Sequence, residues 1–134
     1  MTPAVRFLIA FLIILHGFVY VRVGAVLPGP ITGWLGRSWL LGDAVSSDGL
    51  RSLAIALHVA AGIAIMACGA LVALAPGFPG SWRLWAAAGA TIGVVAFAIF
   101  WDGQIPLLAQ EGAIGALLSL ALLSAAIAFP NAFR

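Results

Sequence analysis

Lysine is absent from this chain of 134 residues, and all six basic residues are arginines. Only four acids accompany them, so charged residues make up 7% of the sequence. A soluble domain carries roughly 25%. Too little polar surface exists to cover a water-exposed globule. The arginines form no cluster, which argues against nucleic acid as a partner. A single cysteine, Cys68, excludes an internal disulfide and reads as a small hydrophobe inside an apolar run. No phosphate-cradling loop, zinc-ligand spacing, nucleophile elbow or calcium-type acid run is present, which argues against a hydrolase or a nucleotide-driven enzyme.

What fills the chain instead is apolar, at 64% of all residues. Four long apolar stretches run over about 4–27, 50–74, 82–101 and 106–129. A bilayer-spanning helix needs about 20 mostly apolar residues, and backbone groups in lipid must be satisfied within the segment. The expected fold is all-α: an integral membrane antiparallel four-helix bundle forming one domain over 1–134. The first stretch reads as a retained span rather than a signal peptide, because Phe7–Tyr20 is long and Arg22 interrupts the region of a cleavage site. Pro28-Gly29-Pro30 ends it. Ser47 or Asp48 is placed to cap the second stretch. Pro76, Gly77, Pro79 and Gly80 form a tight connection. The fourth helix begins either at Pro106, as its first residue, or only at Glu111.

Four crossings put both termini on one side, with Arg6, Arg83 and Arg134 and no acid. The opposite side holds Arg22, Arg37, Arg51, Asp43, Asp48, Asp102 and Glu111. Arginine counts balance at three against three, and the missing acids favour the terminal side as cytoplasmic. In the long connection Pro28–Gly49, residues Ile31, Trp34, Leu35 and Trp39 would share a face. Either a short interfacial helix or a loop with two lipid-anchoring tryptophans accounts for them.

Polar residues inside the stretches mark candidate sites. Arg51, Ile55, His58, Gly62 and Gly69 fall on one stripe of the second helix, which should face protein because a lipid-facing polar group is costly. His16 lies mid-way along the first helix, with Tyr20 one turn on. In an antiparallel pair, His16 and His58 would differ in depth by about 5 Å. Two such histidines can ligate one haem iron, build a proton relay or quinone-type site, or simply lock packing by hydrogen bonding. Asp102 and Glu111 bracket the last turn, where they either join Arg22 or Arg51 in an interfacial salt-bridge cluster or form a small polar vestibule for a ligand headgroup or proton. Gly17, Gly24, Gly89, Gly93, Gly112, Gly115 and Ser119 are small residues that let helices approach closely.

Leu15-His16-Gly17, Leu41-Gly42-Asp43 and Phe100-Trp101-Asp102, leading into Gly112-Ala113-Ile114-Gly115-Ala116-Leu117-Leu118, resemble small bacterial four-helix inner-membrane proteins that are DoxX-like in size and layout. The resemblance implies a four-helix bundle in the inner (cytoplasmic) membrane, with His16 and Asp102 at recurring positions. His58 and Glu111 depart from that pattern. The leading expectation is a non-enzymatic membrane protein, an accessory subunit that packs against other subunits, itself or lipid. The alternative is a redox-associated protein binding haem or quinone between the first two helices through His16, Tyr20, His58 and Arg51. A small transporter or channel subunit ranks below both.

Overall fold

The computed structural model describes residues 1–26, 34–74, 78, 80–109 and 111–133. Four helices follow in order: α1 (Pro3–Val26), α2 (Ser47–Ala73), α3 (Ser81–Phe100) and α4 (Ala113–Ala128). Short 3-10 turns at Gly42–Ala44 and Ile105–Leu107 precede α2 and α4. Strands are absent among the described residues. The first three helices are each long and apolar enough to cross a membrane. At 1.5 Å per residue α4 reaches only about 24 Å, against roughly 30 Å of hydrocarbon.

Local chemistry accounts for the boundaries. Pro3 opens α1, where its missing amide proton costs nothing. Ser46, one residue before the expected caps, accepts from Gly49 N (3.2 Å) at the start of α2, and Asp48 in that first turn suits the helix dipole. Gly112, at φ 107°, turns the chain into α4 in a conformation that favours glycine. Of the two expected starts of the last helix, Pro106 is therefore corrected to Ala113, and Glu111 falls just before that start. Pro106 lies in the 3-10 turn, whose single tight turn tolerates proline as readily as a helix start does. Pro28–Pro30, Ile31, Pro76, Gly77, Pro79, Arg134 and the side chain of Asp43 lie outside the described parts.

The helices pack in sequence order and alternate in direction. Ala10, Gly17 and Gly24 of α1 meet Gly69, Gly62 and His58 of α2. Gly89 of α3 meets Ile65 and Ala61 of α2. Arg83 at the start of α3 donates from Nε to Ala126 O at the end of α4 (2.8 Å), satisfying a carbonyl the helix leaves open. Extensive packing joins α1 to α2, α2 to α3 and α3 to α4, and α1 and α4 are not among these pairs.

The α1–α2 seam is the tightest. A Cβ added at Gly17 would lie 2.7 Å from Gly62 O, and one at Gly62 would lie 2.6 Å from Gly17 O. Each glycine thus sits on the other's carbonyl, a spacing at which Cα–H···O contacts recur. The stripe of α2 expected to face protein does so from Ile55 through Gly69, but Arg51 is exposed.

No interfacial helix forms over residues 34–41. This segment caps α3 instead. Ser38 Oγ donates to Ile99 O and Trp39 Nε1 to Ala98 O, while Trp39 N donates to Trp101 O at 3.1 Å. Trp34 is buried edge-on against Phe100, 5.6 Å between ring centres, among Leu50, Ala54 and Ala96. The last carbonyls of α3 take their partners from this loop.

Candidate functional site

With α1 clamped on α2 and α4 held by α3, a gap remains between α1 and α4. It forms a cavity of about 740 Å³. Leu12, His16, Val19, Tyr20 and Val23 of α1 line one wall, and Ile114, Gly115, Leu118 and Leu122 of α4 line the other. Gly93 and Phe97 of α3 contribute, as does His58 of α2. Ala109, Glu111 and Gly112 stand at one end. Most of this surface is apolar, and its size suits a small-molecule site, which typically spans roughly 300–1,000 Å³.

Tyr20 is the centre of the polar wall. Its ring lies 5.2 Å from His16, edge-on, and 5.9 Å from His58. Its hydroxyl is 3.1 Å from Ser119 Oγ, and His16 Nε2 is 3.1 Å from the same oxygen. Ser119 is fully buried, so a serine of α4 bridges two side chains of α1 across the gap. Gly93 makes room for the phenol: a Cβ there would sit 2.6 Å from the Tyr20 oxygen. Gly93 therefore accommodates a side chain rather than a neighbouring backbone. A Cβ at Gly115 would meet the same oxygen at 3.6 Å, an ordinary contact. His58 Nδ1 is 2.8 Å from Ala54 O in the preceding turn.

The α1–α2 register refines the expected depth of the two histidines. Gly17 faces Gly62, and Gly24 faces Ile55 and His58. His16 and His58 are then offset by roughly 9 Å along the axis, with Tyr20 between them in depth. A bis-histidine haem needs two imidazoles on opposite faces of one iron. Here the phenol packs against both rings and Ser119 holds His16 Nε2, so these residues do not fit that group. Nor does the seam between α1 and α2 hold a ligand, because glycines close it. The space lies on the other side of α1. Among the described residues no group of three or more His, Cys, Asp or Glu side chains is arranged to hold a metal ion.

At the Glu111 end the expected acid–arginine cluster takes a different form. Asp102 N donates to Glu111 Oε2 at 3.3 Å, and the two carboxyl groups interact. Asp102 also accepts from Gln104 N (2.9 Å) and Gln104 Nε2 (3.1 Å). Burial pushes the Glu111 carboxyl above its ordinary range, and the neighbouring Asp102 charge adds to the rise. Among the described residues, Glu111 Oε1 and Trp101 Nε1 are buried without a hydrogen-bond partner. Arg22 and Arg51 are both exposed and do not line the cavity.

Ser119 and Phe97 are the participants that sequence reasoning undervalued. A serine within a glycine stripe reads as a packing residue. Its burial in an apolar helix, where a hydroxyl seeks a partner on a neighbouring helix, is the signal that could have found it. No family model, curated protein or solved structure matches the chain.

Proposed function

We propose that the protein is a non-enzymatic, membrane-embedded binding protein that holds an apolar molecule with a small polar head, of quinone type, between α1 and α4. The cavity carries this assignment: an apolar gap lined by His16, Tyr20 and His58, with Ser119 of α4 hydrogen-bonded to His16 and Tyr20. Apolar walls with a few placed polar groups are how small-molecule sites fix orientation. α4 completes a fourth crossing, its short length met by local bilayer thinning. Both termini then share the cytoplasmic side of a bacterial inner membrane. The layout, with His16 on the first helix and Asp102 after the third, is what a DoxX-like relationship would produce.

The test is extraction in mild detergent followed by solvent analysis and native mass spectrometry. A quinone-type lipid retained at near one per chain, and displaced by a short-chain quinone, is expected. A chain that retains phospholipid alone and leaves added short-chain quinone unbound overturns the proposal.

One observation favours a further role as an accessory subunit. Only Ala10, Gly17, Tyr20 and Gly24 are buried on α1, while Phe7, Leu8, Phe11 and Phe18, which do not line the cavity, are exposed. That face is available to another membrane helix as well as to lipid. Photo-crosslinking from Phe11 in native membranes should capture a protein partner or a second copy. Capture of lipid alone would remove the accessory role.

A further inference from the structure

Among the polar groups of the cavity, His58 is the one whose hydrogen-bonding direction the backbone decides. Its Nδ1 lies 2.8 Å from Ala54 O. A carbonyl oxygen only accepts, so Nδ1 carries the proton. The neutral ring then offers a lone pair at Nε2. No hydrogen-bond partner for Nε2 occurs among the described residues, and the ring forms part of the cavity wall. Phe100, 6.5 Å from it between ring centres, and Tyr20 cover its faces without supplying that bond.

His16, Tyr20 and Ser119, which bond one another, do not impose a direction. If His16 Nε2 is the acceptor, Ser119 donates to it and Tyr20 donates to Ser119, so both hydroxyl protons are used and the ring proton sits on His16 Nδ1. If His16 Nε2 carries its proton, either Ser119 or Tyr20 keeps one to spare. This chain can serve a ligand acceptor or close on itself. His58 Nε2 can only accept.

We propose that the cavity selects a ligand whose head donates a hydrogen bond to His58 Nε2: a hydrophobic hydroxyl compound, the quinol in preference to the quinone. This rests on the cavity being a ligand site, as proposed above. A carbonyl head would set its lone pairs against that of Nε2 and leave a buried acceptor unpaired, which is the costly outcome for a site built to hydrogen-bond. The apolar walls would hold either form alike, so the head decides. Selection by a donor needs no electron transfer, and none is implied.

The experiment uses the full chain in lipid nanodiscs and three probes: a short-chain quinone, its quinol kept anaerobic, and the dimethyl ether of that quinol, which has no donor. Equilibrium dialysis should show the quinol bound about tenfold more tightly than the other two, the factor one hydrogen bond to a buried acceptor commonly gives. His58→Phe should bind all three alike. The nitrogen-15 signal of Nε2 in histidine-labelled wild-type protein should move on adding quinol and stay in place with the ether, a readout that holds even if the variant does not fold. Quinone or ether binding as tightly as quinol overturns the donor requirement while leaving the cavity a ligand site. Binding of none of the three overturns both. A preference that survives in His58→Phe, or an Nε2 signal that does not respond to quinol, removes His58 from the role.

Discussion

The two sides of α1 are built on opposite principles. Towards α2, glycines bring backbone against backbone, with Gly17 and Gly62 each resting on the other's carbonyl oxygen. Towards α4, the helices stand apart and are joined through Ser119, which bonds His16 and Tyr20. Lipid tails are as apolar as leucine, so helix association in a bilayer rests on van der Waals contact and interhelical hydrogen bonds. The α2 side uses the first and the α4 side the second. A cavity survives beside α1 because the helix is anchored elsewhere. Were α1 to depend on α4 for its position, the gap would close.

The strongest way to break this contrast is to attack the closed side. Gly62→Leu would drive a side chain into Gly17 O, Val21 Cγ2 and Val21 N, the first at 2.6 Å. Two of these atoms are backbone and cannot swing aside. Overpacking typically costs about 1–3 kcal/mol, and this substitution should lie at the top of that range. Thermal unfolding in detergent measures it. A midpoint equal to that of wild type would show that the seam does not anchor α1.

Gly93→Leu sharpens the open side and ranks second. It displaces the Tyr20 phenol rather than a backbone, so the ring can move at the expense of its bond to Ser119. The expected loss is about 1–2 kcal/mol, together with loss of ligand binding in the cavity. Gly115→Ala is the control. Its Cβ meets Tyr20 at an ordinary distance, and stability should stay within about 0.5 kcal/mol of wild type, as for changes that disturb no packing. If Gly115→Ala proved as damaging as Gly93→Leu, the phenol would not be the element that Gly93 accommodates.

The helices were legible because lipid imposes a length and forbids unsatisfied backbone, so long apolar runs between Pro and Gly leave few alternatives. The start of α4 was not, since Ile105, Leu107 and Leu108 extend the apolar run through what is in fact a turn. Residues 34–41 left a helix and a loop equally open, for another reason. Trp34 and Trp39 suggest an interfacial helix when read locally, yet their partners, Phe100 and Ala98 O, are remote in sequence. His16, Tyr20 and His58 stood out as polar groups in apolar helices. Which gap they border did not, because that depends on helix rotation, which the glycines of α1 and α2 settle only once they are seen facing each other. The pairing of Glu111 with Asp102 rather than with an arginine was equally hidden, since it is made by the turn between α3 and α4.

That carboxyl pair supplies the smallest expected effect and a probe of the cavity's open end. Burial and Asp102 raise the Glu111 pKa in the folded protein. Below the ordinary glutamate range both folded and unfolded chains hold the proton, and the group contributes no difference. As pH climbs from that range to the raised value, the folded protein keeps a proton the unfolded chain has released. Stability therefore falls with rising pH across this window, and the penalty persists above it. Glu111→Gln cannot ionise, so it should flatten this part of the curve and gain stability relative to wild type at neutral pH. The gain should be smaller than the loss in Gly62→Leu or Gly93→Leu, because Glu111 is only partly buried and water screens it. Unfolding midpoints of both proteins between about pH 4 and pH 8, the span in which carboxyl linkage acts, would measure it. Parallel curves would mean that Glu111 meets water freely and that water reaches the cavity at that end, which would leave the glycine seam as the closed side of α1.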